Sequence, residues 1–208
     1  MCIAGAGAGG LKVVIATANA GKQREFAALL APLGLQLLLQ SELGIQSIEE
    51  SGTSFEANAL LKARHAAKAS GLPVLADDSG LEVDALGGRP GVYSARYAGP
   101  GASDSDNNAR LLAELAGMPD GRRSARYRCV LALLRFAEDP VPLLARGSWD
   151  GRIAQTPAGS GGFGYDPVFV PNGYQVSAAE LPAAVKNGLS HRAKALADLI
   201  VELRAEHR

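Results

Sequence analysis

Leu72-Pro73-Val74-Leu75-Ala76-Asp77-Asp78-Ser79-Gly80 is an apolar, strand-like segment that ends on two adjacent carboxylates and a Ser-Gly step. The run continues through Leu81-Glu82-Val83-Asp84 to Gly87-Gly88-Arg89-Pro90-Gly91. Open α/β sheets place their ligands at the carboxyl ends of strands, so acids at this point are suited to a hard cation beside a phosphate. Neighbouring residues on a strand point to opposite faces, so only one of Asp77 and Asp78 can face such a site. Ala76 is the last apolar residue of the segment, which favours Asp78, emerging beside Ser79. The plain alternative is one aspartate capping a turn while the other is solvated.

Working outward, Leu11 to Ala16 is a β-branched apolar run and reads as a first strand. Phe26, Leu29, Leu30 and Leu33 recur at helical spacing and predict a helix that starts near Gly21 and stops at Gly34. Leu35 to Leu39 restarts as a strand. Thr53 with Glu56 three residues later predicts a capping box that opens a helix through Ala69, ended by Gly71 and Pro73. On that helix Asn58, Lys62 and His65 share a face. Val74 to Ala76 is a buried strand, and Asp104 to Leu115 a further helix. Ser124 to Ala137 and Val141 to Ile153 predict a long hairpin around Glu138-Asp139-Pro140. Residues 154 to 177 read as Gly- and Pro-rich loop with a short strand at Pro167 to Val170. A last helix follows Ser190 as N-cap, with Leu196, Leu199, Ile200 and Leu203 on its buried stripe. Helices alternating with strands, interrupted by a hairpin, define an α/β fold with a mixed sheet.

The 208 residues are 47% hydrophobic and 20% charged, which excludes wholesale disorder. With 21 basic against 21 acidic residues, no charge excess favours nucleic acid as a partner. Cys2 and Cys129 form neither a metal-ligand spacing nor a disulfide framework, so a reducing cytoplasm is expected. No apolar run reaches the roughly 18 residues of a membrane-spanning helix. Residues 1–10 lack a basic start and a long apolar stretch and read as a flexible extension before a single domain over 11–208.

Thr17-Ala18-Asn19-Ala20-Gly21-Lys22 follows the first strand and opens a helix, whose free N–H groups and Lys22 suit an anion. An ordinary Asn-Ala-Gly turn with a surface lysine is equally consistent. The loop is not a P-loop, because Ala16 and Gln23 stand where Gly and Ser/Thr are needed. Gly5-x-Gly7-x-x-Gly10 precedes its strand and fails as a dinucleotide motif. Glu49 and Glu50 offer a second carboxylate to a Mg²⁺ ion, or are a solvated acidic loop; the spacing does not choose between them. Gly161-Gly162-Phe163-Gly164-Tyr165-Asp166-Pro167 is either a stacking loop for a base or a turn whose aromatics cap the core. Lys186-Asn187 and Ser190-His191-Arg192 place donors at a helix start, suited to the carbonyl oxygens of a base.

Together these stretches resemble the inosine triphosphate pyrophosphatase family, the XTP/dITP diphosphatases. The resemblance rests on residues 17–22, 49–63, 76–99, 161–169 and 186–196, all in family order. Ala18 departs from the glycine common at its position. The resemblance implies an elongated α/β fold with two lobes around a nucleotide-binding cleft, a homodimer, and Mg²⁺ dependence. It implies that Thr17, Ala18, Asn19, Ala20, Gly21 and Lys22 hold the triphosphate, that Asp78 is the acid/base and metal partner, and that Ser79 touches substrate. Phe163, Gly164, Tyr165, Asp166, Lys186, His191 and Arg192 would surround the nucleoside. The expected reaction is Mg²⁺-assisted hydrolysis of a non-canonical purine nucleoside triphosphate to monophosphate and pyrophosphate. In it Asp78, Lys22 and Lys62 are catalytic, and Asp78 with Glu49 or Glu50 holds metal. Rival readings are a septum-inhibition-type nucleotide pyrophosphatase and a non-catalytic nucleotide-binding module. No nucleic acid or membrane partner is expected.

Overall fold

The computed structural model describes residues 11–205; the extension expected over residues 1–10 lies outside them. The described chain divides into two compact units, one of residues 11–78, 130–145 and 196–205 and one of residues 79–129 and 146–195. The strands form one mixed sheet in the order β2-β1-β3-β4-β5-β6.

In the first unit, β1 (Lys12–Ala16) pairs in parallel with β2 (Gln36–Leu39) and with β3 (Val74–Val83). Between β1 and β2 runs α1 (Ala20–Leu30), capped by Asn19, whose side-chain oxygen accepts the Lys22 N–H at 3.0 Å. Its end tightens into a 3₁₀ turn at Ala31–Leu33, and Gly34, with φ 65°, provides the left-handed conformation that stops it. Helix α2 (Phe55–Ser70) carries Ala59, Ala63, Ala66 and Ala67 on its buried face. Methyl-sized side chains let it lie close against Val14, Ala16, Val74 and Ala76 in the first core. The expected Thr53–Glu56 capping box does not form; the helix starts one residue later, where Ala57 at the third position has no side-chain acceptor to complete a box. Ser54 holds the extended backbone of an N-cap and accepts the Ala57 N–H at 3.1 Å.

Strand β3 is longer than the sequence suggested. It continues through Asp77-Asp78-Ser79-Gly80 because Leu81 and Val83 are again buried, now in the core of the second unit. The acidic pair therefore lies within a ten-residue strand and not at its carboxyl end.

The second core gathers Leu81, Val83, Leu111, Leu115, Tyr127, Trp149, Tyr165 and Phe169. It is built on α3 (Asp104–Glu114), β4 (Ser124–Leu134), β5 (Leu143–Ile153) and β6 (Phe169–Pro171). A capping box of Ser103 and Asp106 opens α3. Strand β6, antiparallel to β5, begins two residues later than expected. A helix missed in the sequence, α4 (Ala183–Leu189), precedes α5 (His191–Ala205), for which Ser190 is the cap, as expected. α4 spans seven residues, too short for a hydrophobic period to show.

The turn between β4 and β5 is fastened by Asp139. Its buried carboxylate accepts the Arg135 backbone N–H at 3.0 Å, the Val141 N–H at 3.1 Å and the Arg135 guanidinium at 2.9 Å. These bonds, with Arg135 first among them, hold its pKa down at about 2, below the ordinary carboxylate range. A depressed carboxyl stabilises the fold above its unfolded pKa and loses that contribution as pH falls through the folded one. Asp139→Asn is thus expected to cost about 2 kcal/mol at pH 7. The deficit should shrink between about pH 4 and pH 2, as thermal melts of both proteins across that window would show.

Candidate active site

In the first unit the acidic pair separates as strand geometry requires. Asp77, fully buried, turns one way and meets the Lys22 ammonium of α1 at 2.9 Å. Asp78 meets α2: its Oδ1 lies 3.2 Å from the Lys62 ammonium and its Oδ2 accepts the Asn58 amide N–H at 3.1 Å. Lys62 also donates to Glu50 Oε1 at 2.5 Å, so two carboxylates converge on one cation. Glu49 is exposed and stands outside this contact set.

Asp77 pairs with Lys22, while Asp78 and Glu50 share the Lys62 ammonium. Both partners of the central pair, Asp78 and Lys62, shift upward, for different reasons. Burial pushes the Asp78 carboxyl up, Glu50 adds to it, and Lys62, Lys22 and the Asn58 hydrogen bond only partly offset this. Burial works against the Lys62 ammonium, but the charges of Asp78, Asp77 and Glu50 outweigh it and hold its pKa above the ordinary value.

Thr17 is buried at the end of β1; its hydroxyl accepts the Asn19 N–H at 3.2 Å and its carbonyl accepts the Gln23 side-chain amide at 2.9 Å. Ala18, Asn19 and Ala20 are exposed, and Gly21 is buried in the first turn of α1. The side-chain oxygen of Asn19 is spent as a helix cap, so this segment is both a turn and the start of α1.

The second unit holds the other predicted set. Asp166, buried, accepts the Lys186 ammonium at 2.5 Å, the Phe163 backbone N–H at 2.9 Å and the Tyr127 hydroxyl at 3.3 Å. The half-buried Phe163 ring has the Lys186 ammonium 4.9 Å and the Arg192 guanidinium 5.2 Å from its centroid. Arg192 donates to the Ser79 hydroxyl at 2.7 Å. His191 stacks on Tyr127, ring centroids 4.7 Å apart and planes 6° from parallel. Gly164 gives its N–H to Asp104 and its carbonyl to Asn108, which fixes the loop. Tyr165 lies in the core, its hydroxyl donating to the Ser94 carbonyl at 2.8 Å. Of the two aromatics in this loop, Phe163 belongs to the polar cluster and Tyr165 to the packing.

Sequence reasoning missed Asn58's contact with Asp78, the Tyr127 platform under His191, and Gly147. A Cβ on Gly147 would collide with the His191 carbonyl oxygen and lie 2.5 Å from the Ala195 nitrogen. The shared face of Asn58 and Lys62 was a signal for the first; nothing in the sequence marks the other two.

An α/β protein with a buried acid–lysine cluster behind a helix start, and a second cluster of cations around an aromatic ring, has the parts to handle a phosphorylated aromatic ligand. Residues 13–202 match the model of the Ham1 family, and the chain belongs to that family. It is 59% identical over 194 residues to a dITP/XTP pyrophosphatase of Methylococcus capsulatus, covering 93% of this chain and 96% of that protein. It is 56% identical over 193 residues to the enzyme of the same name from Escherichia coli O157:H7, covering 93% and 98%. Among solved structures, a HAM1 protein from Coxiella burnetii superposes with TM-score 0.85 at 46% identity, covering 94% of this chain and 99% of that one. The Staphylococcus aureus Ham1 protein gives TM-score 0.81 at 39% identity over the same shares. Among the described residues no helix is long and apolar enough to cross a membrane.

Proposed function

We propose that this chain hydrolyses non-canonical purine nucleoside triphosphates, dITP, ITP, XTP and dXTP, to the monophosphate and pyrophosphate. The observation that carries this reading is the Asp78–Lys62–Glu50 cluster, in which two carboxylates converge on one ammonium group beside the start of α1. The dITP/XTP pyrophosphatases among its relatives support it. Residues 11–208 would work as one catalytic domain, as a homodimer in the cytoplasm.

The metal we infer is Mg²⁺, and the residues present fit it. Asp78 and Glu50 already direct oxygens to one cationic point, the Lys62 ammonium. Mg²⁺ is commonly held by one or two carboxylates and completes its shell with water and phosphate oxygens, so no third protein ligand is needed. Asp78 and Glu50 would hold it, with Glu49 as the exposed alternative. Bound there, the ion supplies charge neutralisation and polarisation of the phosphates.

The chain's own groups account for the rest. Thr17 to Lys22 would receive the triphosphate, through α1's free N–H groups, the amide nitrogen of Asn19 and the Lys22 ammonium. Asp78 would take a proton from water as its oxygen attacks the α-phosphorus. The bond from that phosphorus to the bridging oxygen breaks, and the electron pair leaves with pyrophosphate. A carboxyl pushed upward by burial is a better proton acceptor near neutrality than an ordinary aspartate. Lys22 and Lys62 would neutralise charge on the leaving group.

For the nucleoside, Phe163 would supply a stacking face, and Lys186, His191 and Arg192 the donors, with Ser79 and Asp166 setting their positions. Hypoxanthine and xanthine present an acceptor at position 6, where adenine presents a donor. A site of donors leaves ATP with unmatched polar groups, a mismatch that can reach ~10⁴-fold in discrimination. Guanine shares the acceptor at position 6, so a second contact must exclude its 2-amino group. With both, pyrophosphate release with Mg²⁺ is expected to be fast from dITP and XTP and slow from dGTP and dATP. Arg192→Ala should raise KM for dITP and narrow its advantage over dGTP. Equal rates on all four nucleotides by the unaltered protein would refute the base selection.

A further inference from the structure

Helix α2 carries more than Lys62 on the face turned to the acids. Asn58, Lys62 and His65, at i, i+4 and i+7, each hold a different point of the segment 46–52. The Gly52 N–H donates to Asn58 Oδ1 at 2.8 Å, Lys62 donates to Glu50, and His65 Nε2 donates to the Gln46 carbonyl at 2.9 Å. As the helix advances 58, 62, 65, the segment retreats 52, 50, 46, so it runs antiparallel along the helix and is buttoned to it at three places. Asn58 is the button at the reacting end, and its side chain is fully buried.

The orientation of that amide is set by chemistry. A backbone N–H only donates, so the oxygen of Asn58 must face Gly52 and the NH₂ must face Asp78, to which it donates at 3.1 Å. The fit is tight from the other side as well: a Cβ on Gly52 would lie 2.5 Å from Asn58 Oδ1 and 2.9 Å from the Ala57 Cβ. One side chain therefore ties the loop bearing Glu50 to the carboxylate of Asp78, and leaves Oδ1 of Asp78 directed at Lys62.

We propose that Asn58 is a positioning residue for the hydrolysis: its amide locks the Asp78 carboxylate and the Glu50 loop in one register around Lys62. The proposal rests on Asp78 being the catalytic group. Asn58→Asp keeps the acceptor for the Gly52 N–H and the shape of the side chain, and replaces the donor that faces Asp78 by an oxygen. Gly52→Ala leaves Asn58 in place chemically and forces its amide off register. Steady-state pyrophosphate release from dITP, with circular dichroism as a check of folding, would be measured for both beside Asp78→Asn.

Each of the two is expected to lower kcat at least tenfold while KM for dITP stays within about threefold, the size of effect that follows from losing one hydrogen bond to a charged group. Both proteins folded with kcat within threefold of the original would overturn the proposal. So would kcat and KM worsening together, or loss of fold in both, since either makes the link structural only. If one variant fails to fold, the other decides. An active Asp78→Asn protein would instead sink the assignment of Asp78, whatever the two variants do.

Discussion

Asp78→Asn is expected to lower kcat for dITP by ~10²–10⁴-fold, the range associated with loss of a positioned proton acceptor. The substitution is nearly isosteric, so the loss would be chemical. Asn keeps the planar shape and one acceptor oxygen, so it can serve only one of the two donors, Asn58 and Lys62, and it cannot take a proton from water. Because Asp78 lies in the first unit with the lysines, and the Phe163–Arg192 cluster lies in the second, nucleotide affinity should change much less than turnover. Stability should move the other way. A carboxyl whose folded pKa lies above its unfolded value favours the fold in its neutral form and burdens it once ionised. At pH 7, without divalent cations, the Asn variant is therefore expected to melt at or above the temperature of the original protein. A variant that keeps turnover within tenfold would remove Asp78 from the mechanism. One that loses turnover together with several degrees of Tm would make its role structural.

That opposition of activity and stability shows which features a sequence can disclose. The residue types were legible: an acid pair on a strand, lysines at a helix start and on a helix face, cations at the start of the last helix. Strand alternation correctly sent Asp77 and Asp78 to different partners, Lys22 and Lys62. The length of β3 was not legible, because Asp-Asp-Ser-Gly is a poor strand sequence and is carried by the cores on either side of it, Val74 and Ala76 before it and Leu81 and Val83 after it. Local propensity lost to tertiary burial. The partition of Glu49 from Glu50 was also beyond the sequence, since it depends on how the segment 46–52 lies along α2. Tyr165 and Phe163 are two residues apart in one Gly-rich loop; only the packing of Tyr165 under Ser94 tells the core residue from the one beside the cations.

Gly147→Ala carries the second large expectation, from a residue with no chemistry of its own. In β5 it lies where the backbone of the first turn of α5 comes closest, against the His191 carbonyl and the Ala195 nitrogen. The neighbouring Ser148 carbonyl accepts the Lys194 ammonium at 2.8 Å, a second fastening at the same place. Both obstacles to a methyl group are helix backbone, joined to each other within α5, so neither can swing aside as a flexible side chain would. The helix start has to lift off the strand. It carries His191 from its stack on Tyr127 and Arg192 from Ser79 and the Phe163 ring. Overpacking of this kind costs about 3 kcal/mol, which for a chain of this size corresponds to a fall in Tm of roughly 6–12 °C. At a temperature where the variant is still folded, KM for dITP should rise and its preference over dGTP should shrink, with kcat affected less because Asp78 and Lys62 are held by α2. A stable Gly147→Ala protein with unaltered selectivity would mean that α5 approaches β5 less closely than its backbone contacts indicate.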